Sequence, residues 1–167
     1  AWGPATHTFF SMLTLEGSLG IPAAVLALLR RRRAAFLYGA IAPDEIVAKG
    51  LCDERFHCHR WDVGFRLLDE GRTETQRAFS LGYLSHLAAD VIAHNGYVPT
   101  RLRQSDTTLQ LGHTYWEVRA DRLLVRTFFE REGEARFRDI EEAVIGELVT
   151  GNQAVIATGG GVVLREA

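Results

Sequence analysis

The stretch "GYLSHLAADVIAHNGY", residues 82–97, sets the tightest limit on what this chain can fold into. It is apolar enough for a buried helix, yet His86, Asp90 and His94 interrupt it at intervals of four residues. At about 100° per residue, each four-residue step advances roughly 40° around a helix. The three side chains therefore fall on one stripe about 80° wide. Ala89 and Ala93 lie beside that stripe and are too small to fill it. Imidazole nitrogens and a carboxylate converging beside small residues suit a divalent metal ion. An internal His–Asp contact is the plainer alternative, and the rest of the chain decides between the two.

A chain of 167 residues, 47% of them hydrophobic, can bury one core, or one domain with an appendage. A net charge of −2 offers no broad basic field, which leaves nucleic acid as a substrate at most. The longest apolar runs fall well short of the roughly 20 residues needed to cross a bilayer. The opening "AWGPATH" is not a signal peptide; a cytoplasmic location is slightly favoured, and secretion is compatible with a leader removed before Ala1. Cys52 and Cys58 are too few for a disulfide framework. All six histidines (His7, His57, His59, His86, His94 and His113) fall before residue 114. Beyond about residue 126 the character changes to the charged "FFEREGEARFRDIEEAVIGELV" and then to the Gly-rich "ATGGGVV". This divides the chain into residues 1–125 and 126–167.

Most of residues 5–125 reads as helix. "THTFFSMLTLEG" ends at Gly17, and Gly20 with Pro22 makes a turn. Pro22 opens "PAAVLALLRRRR", whose arginines suit the negative end of a helix. "AAFLYGAIAPDE" is a short apolar helix stopped by Pro43, which puts Asp44 on a loop. "RWDVGFRLLDEG" and residues 74–94 are amphipathic, and a last helix begins near Thr108 and runs through "HTYWEVRADRLLVRTFF". Strand-like alternation is scarce before residue 150. The fold class is all-α, a helical bundle with a short C-terminal α/β fragment.

Other ligand-type residues join the stripe. His113 and Glu117 repeat the four-residue step in "HTYWE", Asp44 follows a proline at a helix end, "HCHRWD" carries His57 and His59, and His7 follows Trp2 in "WGPATH". Singly each has an ordinary structural use, as a cap or a solvated charge. Jointly they supply ligands for two or three ions of the zinc type.

With these pieces in order, residues 1–125 resemble the zinc-dependent phospholipase C family, relatives of the three-zinc single-strand nucleases. The matching pieces are "WGPATH", "YGAIAPDE", "HRWD", "LGYLSHLAADVIAHN" and "HTYWE". The resemblance implies that Asp44, His59, His86 and Asp90 hold one zinc, and His94, His113 and Glu117 a second. Trp2 and His7, with Asp90 as a bridge, would hold a third. Three features depart from the family pattern. His94 follows Asp90 by a shorter step than in the secreted members. His57 competes with His59, of which "HRWD" favours His59. Ala1 precedes the tryptophan whose free amine binds metal in mature secreted members. The implied catalytic residues are Asp90, keeping two ions close, and Asp44, taking a proton from water. The implied partner is a small phosphoester or a lipid headgroup.

Residues 127–167 resemble the middle of shikimate kinase, through "FFEREGEARFRDIEEAVIGELV" and "AVIATGGGVVLREA". The resemblance implies that Arg138, Gly159, Gly160 and Gly161 correspond to shikimate-contacting positions. A P-loop kinase also needs G-x-x-x-x-G-K-[ST], and the one lysine here, Lys49, is followed by "GLC". The substrate-side residues are therefore vestigial. Without a sheet to join, Arg136 to Thr150 is expected to form a helix that docks loosely or stands apart, and Gln153 to Ala167 to be poorly ordered. Three functions follow: a metal-dependent phosphoesterase, a metal-binding helical module without turnover, and a kinase label carried by the tail with no catalysis behind it.

Overall fold

The computed structural model describes residues 2–17, 20–44, 57, 59–104, 112–127, 130 and 133. Six α-helices follow one another as α1 (Pro4–Glu16), α2 (Ala23–Arg31), α3 (Arg33–Ile41), α4 (Trp61–Glu70), α5 (Glu74–Ile92) and α6 (Val98–Arg103). A 3-10 turn, Ala42–Asp44, extends α3, and a π-turn, Ala93–Tyr97, joins α5 to α6. Residues 112–127 form a further helix, α7. No strand occurs among the described residues, so the architecture is an all-α bundle.

The helix ends follow local chemistry. Pro4 sits in the first turn of α1, and Gly17 closes it in the left-handed region at φ 86°. Thr73 opens α5 with a capping box: its hydroxyl accepts from the Gln76 N–H while the Gln76 side chain accepts from the Thr73 N–H. Between α2 and α3 the chain kinks at Arg32, and Arg31 and Arg32 both reach Glu74 at the start of α5.

α5 is the central helix, lying along α3 on one side and α4 on another, while α1 packs against α3. Leu29, Ala35, Phe36 and Ala78 form the core, flanked by Leu15, Val25, Phe79 and Leu81. The α3–α5 crossing depends on two glycines. A Cβ on Gly39 would lie 2.1 Å from the Phe79 carbonyl oxygen, and one on Gly82 would lie 2.1 Å from that of Phe36. Backbone meets backbone here, and this close approach brings the end of α3 beside His86 and Asp90.

Two expectations change in detail. Asp44 stands at the end of a 3-10 turn rather than on an open loop, because Pro43 permits one more tight turn after α3. The central helix stops at Ile92, and His94 belongs to the π-turn. Thr108, Arg138, Gly159, Gly160 and Gly161 lie outside the described residues, as do the segments Arg136 to Thr150 and Gln153 to Ala167.

Candidate metal centre

Four separate elements deliver the polar cluster. α1 brings His7, the 3-10 turn brings Asp44, the residue pair before α4 brings His59, and α5 brings His86 and Asp90. His86 is 0% exposed, His7 2% and Asp90 5%. Burying so many ionisable groups side by side is costly unless they are paired or hold a metal.

His86 fixes the logic of the cluster. Its Nδ1 lies 2.8 Å from the Ala40 carbonyl oxygen, an atom that only accepts, so Nδ1 carries the proton and donates. Burial, reinforced by the nearby His7, pushes the His86 pKa down to about 4, which keeps the ring neutral. Its Nε2 therefore presents a lone pair. That lone pair faces the His59 Nε2 at 3.0 Å, Asp90 Oδ2 at 3.6 Å and Asp44 Oδ1 at 3.9 Å. A histidine that donates its far N–H to a backbone carbonyl is oriented as metal-bound histidines usually are.

The other members close round the same point. His59 Nε2 is 3.1 Å from Asp44 Oδ1 and 3.5 Å from Asp90 Oδ2. His7 stacks on His86 with ring centroids 3.8 Å apart, and its Nε2 lies 3.2 Å from Asp90 Oδ1. Burial alone would raise the Asp90 carboxyl. The His7 side chain, the Trp2 N–H and the charges of His86 and His7 outweigh it and hold Asp90 below the ordinary carboxylate range.

Two buried atoms of this cluster, His7 Nε2 and Asp90 Oδ2, have no hydrogen-bond partner. His7 Nε2 is near Asp90 Oδ1, but the pair is not aligned for a hydrogen bond. Orphaned buried polar atoms of this kind are rare and cost roughly 1–3 kcal/mol each. A cation between them satisfies both, so the donor set fits zinc. Among the described residues, two overlapping triads have ligand atoms within 4.8 Å of one another: His7, His86 and Asp90, and Asp44, His59 and His86. His59 thus enters the cluster, and His57 does not.

The remaining sequence candidates form a neighbouring group. His113 Nε2 is 3.1 Å from Glu117 Oε1 across one helical turn, and the His94 and His113 rings are 5.0 Å apart at 63°. His94, His113 and Glu117 adjoin one another without converging as closely as the two triads. Trp2 lies at the same end: its backbone N–H donates to Asp90 Oδ1 at 3.0 Å, and its indole N–H donates to the Ala89 carbonyl at 2.9 Å. With Ala1 before it, that nitrogen is a peptide amide that holds Asp90 in place. Asp121 was not singled out from the sequence, yet it grips the start of α1. Its signal is the four-residue spacing His113–Glu117–Asp121, which a search limited to ligand pairs passes over.

Three imidazoles and two carboxylates gathered round a common point in a helical bundle are the features of an all-α protein that could hold a metal ion. Residues 6–152 match the zinc dependent phospholipase C family, most of the chain and both sides of residue 125. The chain belongs to that family. It is also similar over a short stretch to shikimate kinases. That of Paracidovorax citrulli (strain AAC00-1) is 63% identical over 43 residues, 25% of this chain and 24% of the kinase. That of Moorella thermoacetica (strain ATCC 39073 / JCM 9320) is 52% identical over 42 residues, again 25% of this chain and 24% of the kinase. The chain thus spans about a quarter of the length of these curated relatives. No solved structure matches.

Proposed function

We propose that this chain is a zinc-dependent phosphoric ester hydrolase, with Asp44, His59, His86, Asp90 and His7 as the main ligands. His94, His113 and Glu117 hold a further ion. The observation that carries this reading is the pair of buried atoms without a hydrogen-bond partner, His7 Nε2 and Asp90 Oδ2, in a triad with His86 whose ligand atoms lie within 4.8 Å of one another. Zinc held there supplies Lewis acidity to phosphoryl oxygens and lowers the pKa of water towards roughly 7.

The chain's own groups do the rest. The Ala40 carbonyl fixes the tautomer of His86, and the Trp2 N–H fixes the rotamer of Asp90. Asp44 is the more exposed carboxylate, 19% against 7% for Asp90. Its carboxylate is therefore the base best placed to take a proton from an entering water. The substrate class is a phosphodiester or phosphomonoester, from a lipid headgroup or a small molecule.

The shikimate kinase-like stretch contributes no phosphoryl transfer, because this sequence holds no P-loop lysine motif. The test is turnover of bis(p-nitrophenyl) phosphate by zinc-loaded protein. Hydrolysis that chelator abolishes and zinc restores is expected, with a loss of at least tenfold in Asp44→Asn. Full metal content with no turnover of diester or monoester would leave a binding module instead.

A further inference from the structure

The N-terminus of α1 is capped from another helix. Its N-cap, Gly3, has no side chain to offer, and the first turn must place its N–H groups elsewhere. Pro4 has none, and the His7 N–H bonds back to the Gly3 carbonyl. The two that remain, on Ala5 and Thr6, both donate to Asp121 of α7, at 3.2 and 3.0 Å. The Thr6 hydroxyl donates to the same carboxylate. Thr6 is 0% exposed, so its N–H and its hydroxyl have no water as an alternative. The carboxylate also lies where the positive end of the α1 dipole favours it.

The placement gives this cap a consequence beyond stability. Asp121 stands one helical turn after Glu117 and two after His113, and it grips the residues just before His7. One side chain therefore ties the helix that carries His113 and Glu117 to the helix that carries His7. Gly3 leaves room for the carboxylate: a Cβ there would lie 2.1 Å from Asp121 Oδ2, so the Asp121 side chain would have to move away from the N–H groups it caps.

We infer that Asp121 is a positioning residue for the metal centre, setting His7 at its distance from Asp90 by capping α1 across the fold. The inference rests on the proposed metal site and adds a residue that touches no ion. An Asp121→Ala chain loses three hydrogen bonds at once, and α1 is released to slide or rotate about His7.

The test compares Asp121→Ala, Asp121→Asn and Gly3→Ala with the wild-type chain and with Thr73→Ala, which removes the α5 cap far from the cluster. Each is titrated with Co2+ and Zn2+, recording ions bound per chain, affinity and the visible spectrum of the cobalt form, alongside the melting temperature of metal-free protein. Asp121→Ala and Gly3→Ala are expected to weaken binding about tenfold or more and to alter the cobalt spectrum, the range seen when a residue behind a ligand is lost. Asp121→Asn, which keeps an acceptor for the Ala5 and Thr6 donors, should recover most of the affinity. Thr73→Ala should lower the melting temperature alone. If Asp121→Ala and Gly3→Ala bind cobalt with wild-type affinity and spectrum, the inference is overturned and Asp121 is only a cap. A wild-type chain that binds less than one ion removes the metal-site reading itself, and the inference with it.

Discussion

The Nε2 atoms of His59 and His86 face each other at 3.0 Å, one from the segment before α4 and one from the buried centre of α5. His86 has committed its proton to Ala40, so the two rings can be joined by a single N–H or by a shared cation. With Asp44 Oδ1 at 3.1 Å from the same His59 nitrogen, the arrangement suits a shared cation.

That relationship separates two neighbouring histidines. His59→Ala should lower metal affinity at least tenfold, measured by competition with a chromogenic chelator, whereas His57→Ala should change it little. The reverse ranking would place the ligand on the other histidine of "HCHRWD".

Asp90→Asn keeps the shape of the side chain and one oxygen for the Trp2 N–H, but loses the charge that faces the three imidazoles. Metal affinity should fall by at least tenfold, while the metal-free chain should melt within a few degrees of wild type. Unchanged affinity would show that Asp90 serves only the hydrogen bond to Trp2.

Acidification should destabilise the metal-free protein. His86 titrates near 4 when folded against about 6.5 when unfolded. Between those values the unfolded chain binds more protons, so stability is fully present above about pH 6.5 and is lost as pH falls towards 4. Asp90, held below the ordinary carboxylate range, acts with the same sign at lower pH. Thermal melts of chelator-treated protein should show the decline, and a flat profile from pH 7 to 4 would contradict it.

The glycine crossing is tested by Gly82→Ala and Gly39→Ala. Each added methyl would press on a carbonyl oxygen of the facing helix, which cannot swing aside as a side chain could. A loss of about 1–3 kcal/mol, or more, is expected in denaturant unfolding. Because α3 carries Ala40 and leads into Asp44, metal affinity should fall with it. Wild-type stability in both variants would mean that the helices do not cross this closely.

Much of the bundle was legible because its signals are local. Gly17 closes α1, Pro22 precedes α2, and apolar spacing marks α5. The ligand types were legible for the same reason, since His86 with Asp90 and His113 with Glu117 each sit one helical turn apart. What periodicity could not convey was which histidines meet across the fold. His86, Asp90 and His94 read as one stripe, but His94 lies in the π-turn Ala93–Tyr97 beyond the end of α5, and its ring meets that of His113 instead. Asp121 escaped because capping is read from the residue before a helix, and here the cap comes from 115 or more residues away.

The most direct measurement is the number of zinc ions per chain in protein purified without chelator, by elemental analysis. The account predicts two, and a third where Trp2 gains a free amine, with a melting temperature that drops when the ions are stripped. Less than one ion per chain, with no change in melting on adding zinc, would contradict it.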